Sequence, residues 1–125
     1  MCLENVDCDV IRKVRSLLGT DVETLEYGVT YRISTITRKN VRVNKVETST
    51  PIYIPRQAFC NVRKDLSTKW VPIRPLKEKK GTGYDGILKK YTPVMVSHVV
   101  APILVKISLC EVRKNNRHWE IRLVH

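Results

Sequence analysis

The clearest structural pattern in the chain runs from Tyr27 to Val46 and reads YGVTYRISTITRKNVRVNKV. Its first half alternates apolar and polar side chains, which is the period of a β-strand with one buried face. The apolar phase holds Tyr27, Val29, Tyr31 and Ile33. The turn Arg38-Lys39-Asn40 leads into a second predicted strand, built on Val41, Val43 and Val46. A third short strand, Ile52-Tyr53-Ile54, follows, so this region predicts an antiparallel β-meander.

A helix is predicted on each side of this meander. The first covers about Asp9 to Leu18, with Asp7 or Asp9 as the candidate N-cap and Gly19 as the C-terminal stop. The second begins at Pro55, because proline is tolerated at the first position of a helix. Its predicted buried stripe consists of Ala58, Phe59, Val62 and Leu66.

The last third of the chain predicts two short helices and a β-hairpin. A glycine- and lysine-rich loop, residues 77–86, precedes a short helix that Asp85 caps. A helix over 93–101 then ends before Pro102, although the valines in that span also fit a strand. In the hairpin, the predicted pairs are Leu109 with Ile121 and Ile107 with Leu123. This register leaves a three-residue loop, Lys114-Asn115-Asn116, whose last residue tolerates the left-handed conformation.

These elements predict an α+β fold, with small helices, an antiparallel β-meander and a C-terminal β-hairpin. The 125 residues fit a single domain, of which 42% are hydrophobic, enough to build a core. Within 1–125, residues 1–74 hold the helix, meander and second helix. Residues 75–86 form a basic loop, and 87–125 hold a helical segment and the hairpin.

The part from Asp85 to the end resembles winged helix-turn-helix DNA-binding proteins, in which two short helices precede a hairpin wing. The resemblance rests on the order of elements and covers roughly the final third of the chain. It implies that the second helix reads base edges, but its start offers only Ser97 and His98 as polar side chains. We therefore expect the hairpin and the basic loops to make most of the contacts.

The distribution of charge predicts the partner. Residues 1–30 hold six acids and three bases, whereas residues 31–125 hold six acids and twenty bases, for a net charge of +11. An excess of this size favours a polyanionic partner, and nucleic acid is the commonest one. We expect DNA rather than RNA, in duplex form. The predicted phosphate contacts come from the meander, the loop and the hairpin: Arg38, Lys39, Arg42, Lys77, Lys79, Lys80, Arg113, Lys114 and Arg117.

Aromatic side chains among these bases offer a second kind of contact, because they can stack on unpaired bases. Tyr31 and Trp119 lie in the apolar phase of predicted strands, so we expect both in the core. Tyr84 lies between glycines in the basic loop, and we expect it to be exposed.

The cysteines and histidines predict no cofactor or metal site. Cys2, Cys8, Cys60 and Cys110 are scattered without a C-x-x-C motif, so reduced thiols are expected, with a disulfide or a zinc site as the alternative. The N-terminus has neither the basic nor the apolar region of a secretory signal, which predicts an intracellular, non-secreted protein. No apolar run reaches transmembrane length, and nothing suggests a small-molecule substrate.

Two other functions stay open. In the first, the chain is a viral or mobile-element adaptor whose basic face docks on an acidic protein, while its acidic N-terminus masks that face or pairs within a homo-oligomer. In the second, Asp65 and Glu78 hold a metal ion and Lys80 steadies the attacking water of a nuclease. The second group lies in a loop-like segment, so the chain is expected not to be an enzyme.

Overall fold

The computed structural model describes residues 7–25, 28–74 and 83–124. The fold is α+β, as the sequence predicts. In chain order the elements are α1 (Asp9–Arg15), β1 (Asp21–Glu23), β2 (Thr30–Ile36), β3 (Asn40–Lys45), β4 (Pro51–Pro55), α2 (Gln57–Cys60), α3 (Val62–Asp65), β5 (Val71–Pro72), α4 (Gly83–Leu88), α5 (Ser97–Lys106), β6 (Cys110–Asn115) and β7 (His118–Leu123).

The meander forms a four-stranded antiparallel sheet in the order β1-β2-β3-β4. Its inner face carries Tyr31, Ile33, Val41, Val43 and Ile54, all buried, which confirms the alternation read from the sequence. The register shifts between Ile33 and Thr35, so the outward face of β2 changes phase near the turn. The three residues of β1 were too few to predict, because a single buried side chain, Val22, shows no period.

The predicted second helix exists as two short helices with one shared stripe. Asn61 (φ −96°, ψ 8°) separates α2 from α3, and the four apolar side chains expected to face the core are all buried. The helical period therefore predicted the buried face correctly, although the chain breaks at Asn61.

The cysteines differ from expectation, because Cys8 and Cys60 form a disulfide with a Cα–Cα distance of 5.9 Å. The two lie 52 residues apart, so no spacing motif marks them. The bridge forms because α1 packs against α2, and Asp7–Arg56 and Asp9–Arg63 ion pairs flank it. Cys8 also takes the N-cap position predicted for an aspartate, its Sγ accepting a hydrogen bond from the Ile11 N–H. The helix ends at Arg15, and Gly19 turns the chain four residues later with a φ of +82°.

The helix predicted over 93–101 is wrong in its bounds, since α5 begins at Ser97 and runs through Pro102 to Lys106. Proline in a helix interior costs about 3 kcal/mol. Burial of the α5 side chains outweighs that cost, because each large aliphatic one contributes about 1.5–3 kcal/mol. The buried apolar set is Val99, Val100, Ala101, Pro102, Ile103 and Leu104.

The hairpin is also displaced from its predicted register. Cys110 pairs with Leu123 and Val112 with Ile121, so the loop has two residues, Asn116-Arg117, instead of three. The alternation from Ile103 to Leu109 misled the prediction, because most of those positions belong to α5 and its C-terminal turn. The predicted left-handed conformation of Asn116 is confirmed by its φ of +59°.

Residues near the start of α4 contradict two further expectations. Gly83–Gly86 was predicted as part of the loop but lies in α4. Tyr84 is fully buried, not exposed, and burial raises its pKa well above the ordinary tyrosine value. Its place in the core explains why a loop-like sequence with two flanking glycines becomes helical.

One hydrophobic cluster connects the two sheets. The second sheet has the order β5-β7-β6, and α5 contacts both β6 and β1 of the meander sheet. Among the described residues, none of the helices is long and apolar enough to cross a bilayer.

We predict that breaking the Cys8–Cys60 bridge destabilises the fold. A cross-link spanning 52 residues is worth about 4 kcal/mol in the chain-entropy description. Chemical denaturation of the wild type and of the double variant Cys8→Ser/Cys60→Ser should differ by roughly this amount without reductant. In reductant the two should match. Equal stability without reductant would show that the bridge contributes nothing.

We also predict that Gly83→Ala lowers the free energy of unfolding by about 3 kcal/mol. Gly83 has a φ of +79°, and an added Cβ would lie 2.7 Å from the carbonyl oxygen of Pro72. Gly19→Ala is the matched control, because its φ of +82° is similar but no atom lies within 4 Å. The control isolates backbone strain and should cost about 1–2 kcal/mol. Equal losses in thermal unfolding would contradict the proposed clash.

Candidate nucleic-acid interface

The turn between β2 and β3, residues 37–39, is here called the meander turn. Arg38 and Lys39 are both exposed in it. The backbone beneath them is held by hydrogen bonds from Thr37 N–H to the Asn40 carbonyl (2.8 Å) and from Asn40 N–H to Thr37 Oγ1 (3.0 Å). Arg56 adds two more, donating its backbone N–H to the Lys39 carbonyl (2.9 Å) and its guanidinium to the Thr37 carbonyl (3.1 Å). The turn therefore presents two cations on a fixed backbone.

Arg42 lies on the outward face of the same sheet, opposite Tyr53 on β4. Its guanidinium carbon is 6.0 Å from the centroid of the Tyr53 ring, near the outer limit of a cation–π contact. Arg42 is half-buried, whereas Tyr53 is 52% exposed. The Nε atom of Arg42 is buried and has no hydrogen-bond partner among the described residues.

The hairpin tip, residues 113–118, is basic and exposed as predicted, but its three bases are not equivalent. The Arg113 guanidinium donates to Glu120 (2.7 Å) and lies 4.3 Å from the ring centroid of Trp70. Lys114 is exposed, with its Nζ 6.0 Å from the Trp119 ring centroid, and Arg117 occupies the turn itself. Arg113 is thus paired within the protein, whereas Lys114 and Arg117 are exposed and form no ion pair with a described residue.

Trp70 is the centre of a stack that the sequence did not reveal. Arg113 lies over one part of its ring system at 4.3 Å and Arg122 at 4.4 Å, and Arg122 is paired with Glu111. Since β5 begins at Val71 and pairs with β7, Trp70 is carried to the outward face of the hairpin sheet. The alternation of β6 and β7 places both arginines on that face, but nothing local indicates that Trp70 joins them.

Three acids of the N-terminal region, Asp7, Asp9 and Asp21, are bonded to arginines. Asp7 accepts from Arg15 (2.7 Å) and from Arg56 (2.7 Å), and these bonds lower the pKa of its carboxyl. A hydrogen bond from Arg63 likewise lowers the pKa of Asp9. Asp21 pairs with Arg32 across β1 and β2. These contacts occupy the three carboxylates and involve no base of the meander turn or the hairpin tip.

The lysines of the predicted basic loop and the acids of the nuclease hypothesis are the remaining candidate residues. Lys77, Lys79 and Lys80, together with Glu78 of the nuclease hypothesis, lie outside the described residues. Asp65, the other acid of that hypothesis, accepts hydrogen bonds from Tyr91 Oη (2.6 Å) and Lys90 Nζ (2.8 Å). Within 7–25, 28–74 and 83–124, no cluster of three His, Cys, Asp or Glu side chains is placed to hold a metal ion.

The structure groups the predicted contacts into two sets on different sheets. Arg38, Lys39 and Arg42 lie at the turn end of the meander sheet. Arg113, Lys114 and Arg117 lie at the hairpin tip. The start of α5 does not add a third set, because Ser97 is buried and donates its hydroxyl to Asp85. Tyr31 is in the core as expected, and Trp119 is half-buried.

No protein-family model, no curated protein and no solved structure matches this chain. Its function is therefore argued from its own residues.

We predict that Trp70→Ala destabilises the protein by about 1–2 kcal/mol. The substitution removes the cation–π contacts with Arg113 and Arg122, and the ion pairs of these two arginines are then held less firmly in place. Trp70→Phe keeps an aromatic ring and should recover part of that loss. Lys114→Gln is the control at the same tip and should change stability by less than about 0.5 kcal/mol. Urea denaturation measures all three, and equal values for Trp70→Ala and Lys114→Gln would rule out a stabilising stack.

Proposed function

We propose that this protein binds nucleic acid, with duplex DNA as the first ligand, through phosphate contacts from the meander turn and the hairpin tip. The proposal rests on the observation that the paired acids bind arginines other than the exposed bases of the two turns. Among the described acids of the N-terminal region, Asp7, Asp9 and Asp21 are bonded to arginines, while Arg38, Lys39, Lys114 and Arg117 are exposed and bonded to none of these three. Exposed cations of this kind gain affinity by releasing counterions from phosphates.

In this proposal the C-terminal part contacts DNA in the manner of a winged helix. This is supported by the order α4, α5, hairpin, with the hairpin tip in the place of the wing. The burial of Ser97 argues against base reading by the start of α5. We therefore assign phosphate contacts to the hairpin and propose sequence-independent affinity.

The test is a salt titration of binding to a labelled DNA duplex, with Lys114→Gln/Arg117→Gln as the variant. The variant should bind more weakly, and its slope of log affinity against log salt should be shallower by about 2, since each phosphate contact contributes about 0.9. Lys64→Gln/Lys106→Gln removes two exposed charges on α3 and α5 and serves as the control for net charge. It should keep the wild-type slope.

Unchanged affinity and slope in the tip variant would remove the hairpin from the proposal. Weak binding of the wild type to duplex DNA, single-stranded DNA and duplex RNA alike would favour the protein–protein adaptor. Disulfides are rare in the cytosol, so binding is to be measured both with the Cys8–Cys60 bridge intact and after reduction.

A further inference from the structure

The outward face of the meander sheet carries an aromatic ring where a solvated sheet normally carries polar groups. On β4, Ile54 is fully buried and Ile52 packs against the core, whereas Tyr53 between them points to the opposite face and is 52% exposed. Because side chains alternate along a strand, the backbone of β4 itself sets the side on which the ring lies. The exposure of Tyr53 is thus built into the sheet.

The strand that carries Tyr53 is an edge strand with a constrained backbone. β4 pairs only with β3 in the described sheet, in a register that places Tyr53 opposite Arg42. Pro51 and Pro55 bracket it, and proline cannot donate to a further strand. A ligand can therefore bind more readily against the exposed face of β4 than by pairing with its edge as a further strand.

The bases beside Tyr53 make this face complementary to a polyanion. Arg42 is its cross-strand neighbour, and β3 begins directly after the meander turn with its exposed Arg38 and Lys39. No acid occurs between Tyr31 and Lys45. The acids of the same sheet, Asp21 and Glu23, lie on β1, at the opposite edge.

We propose that Tyr53 stacks on an unpaired nucleic-acid base while Arg38, Lys39 and Arg42 hold the neighbouring phosphates. The ligand class is then a single-stranded segment, either alone or extending from a duplex. An exposed ring flanked by cations is the arrangement with which proteins bind single strands independently of sequence. A base inside a duplex already stacks on its neighbours and offers no free face, so Tyr53 discriminates between the two forms.

This inference rests on the proposed function and deepens it. The cations of the meander turn and the hairpin tip attract any nucleic acid, whereas the Tyr53 ring adds affinity only where a base is unpaired. The unpartnered Nε–H of Arg42 supplies one further donor beside the ring, available to a phosphate or a base edge if the side chain shifts.

The experiment compares a blunt DNA duplex, the same duplex with an overhang of six thymines, and the single strand alone. Wild-type protein should bind the duplex with the overhang more tightly than the blunt duplex, and it should also bind the single strand. Tyr53→Ala should weaken binding to the overhang duplex and the single strand about tenfold and leave the blunt duplex unchanged. Tyr53→Phe keeps the stacking surface and should restore the wild-type affinities.

Two additional measurements separate stacking from loss of structure. Val46→Ala truncates another exposed apolar side chain, 43% exposed against 52% for Tyr53, in the residue that follows β3, and should leave all three affinities unchanged. A 2-aminopurine placed in the overhang reports stacking directly, through a fluorescence change on binding that Tyr53→Ala abolishes and Tyr53→Phe retains.

The outcomes distinguish this inference from the proposed function. If Tyr53→Ala binds the single strand as tightly as the wild type and the 2-aminopurine signal persists, the stacking site is wrong, whereas a flattened salt slope in the tip variant still supports phosphate binding. If the wild type binds none of the three DNAs, both proposals fail.

Discussion

Burial of α5 joins the two sheets into one core. This helix contacts β1 of the meander sheet, β6 of the hairpin sheet, and both α2 and α4, so the two sheets meet on it. Seven of its ten residues are buried, and the free energy of that burial exceeds the cost of a proline in the helix interior. A helix enclosed in this way has few side chains free to enter a groove, which is why the proposed contacts lie on the meander turn and the hairpin tip.

The electrostatics follow from where the helices place the acids. Asp7 and Asp9 flank the disulfide at the start of α1, and their partners Arg56 and Arg63 are brought near by the packing of α1 on α2. Asp7 and Asp9 thus pair with arginines of α1 and α3 and with Arg56 just before α2. The exposed bases outside these pairs include those of the meander turn and the hairpin tip, together with others on the helices such as Lys64 and Lys106.

Periodicity predicted the elements whose partners are close in sequence. The meander was readable because each strand pairs with the next one and the valines of β3 keep a strict alternation. It failed in α5, where Val99, Val100, Ile103 and Leu104 form a buried helical stripe while Ile103, Val105 and the C-cap Ile107 also alternate. Valine and isoleucine favour strands locally, and only burial among several other elements decides for the helix. The wrong hairpin register followed from the same error.

Some features of the candidate site likewise depend on the local sequence, and others depend only on tertiary contacts. Local sequence is enough to predict the basic turns, the polar position of Arg42 between two buried valines, and the left-handed Asn116, because each depends on sterics and alternation within a few residues. Tertiary structure alone decided that Cys8 reaches Cys60, that Trp70 holds Arg113 and Arg122, and that Tyr84 lies inside the core. Those contacts join residues far apart in the chain, and a contact of that kind exists only once the burial of other side chains has brought its partners together.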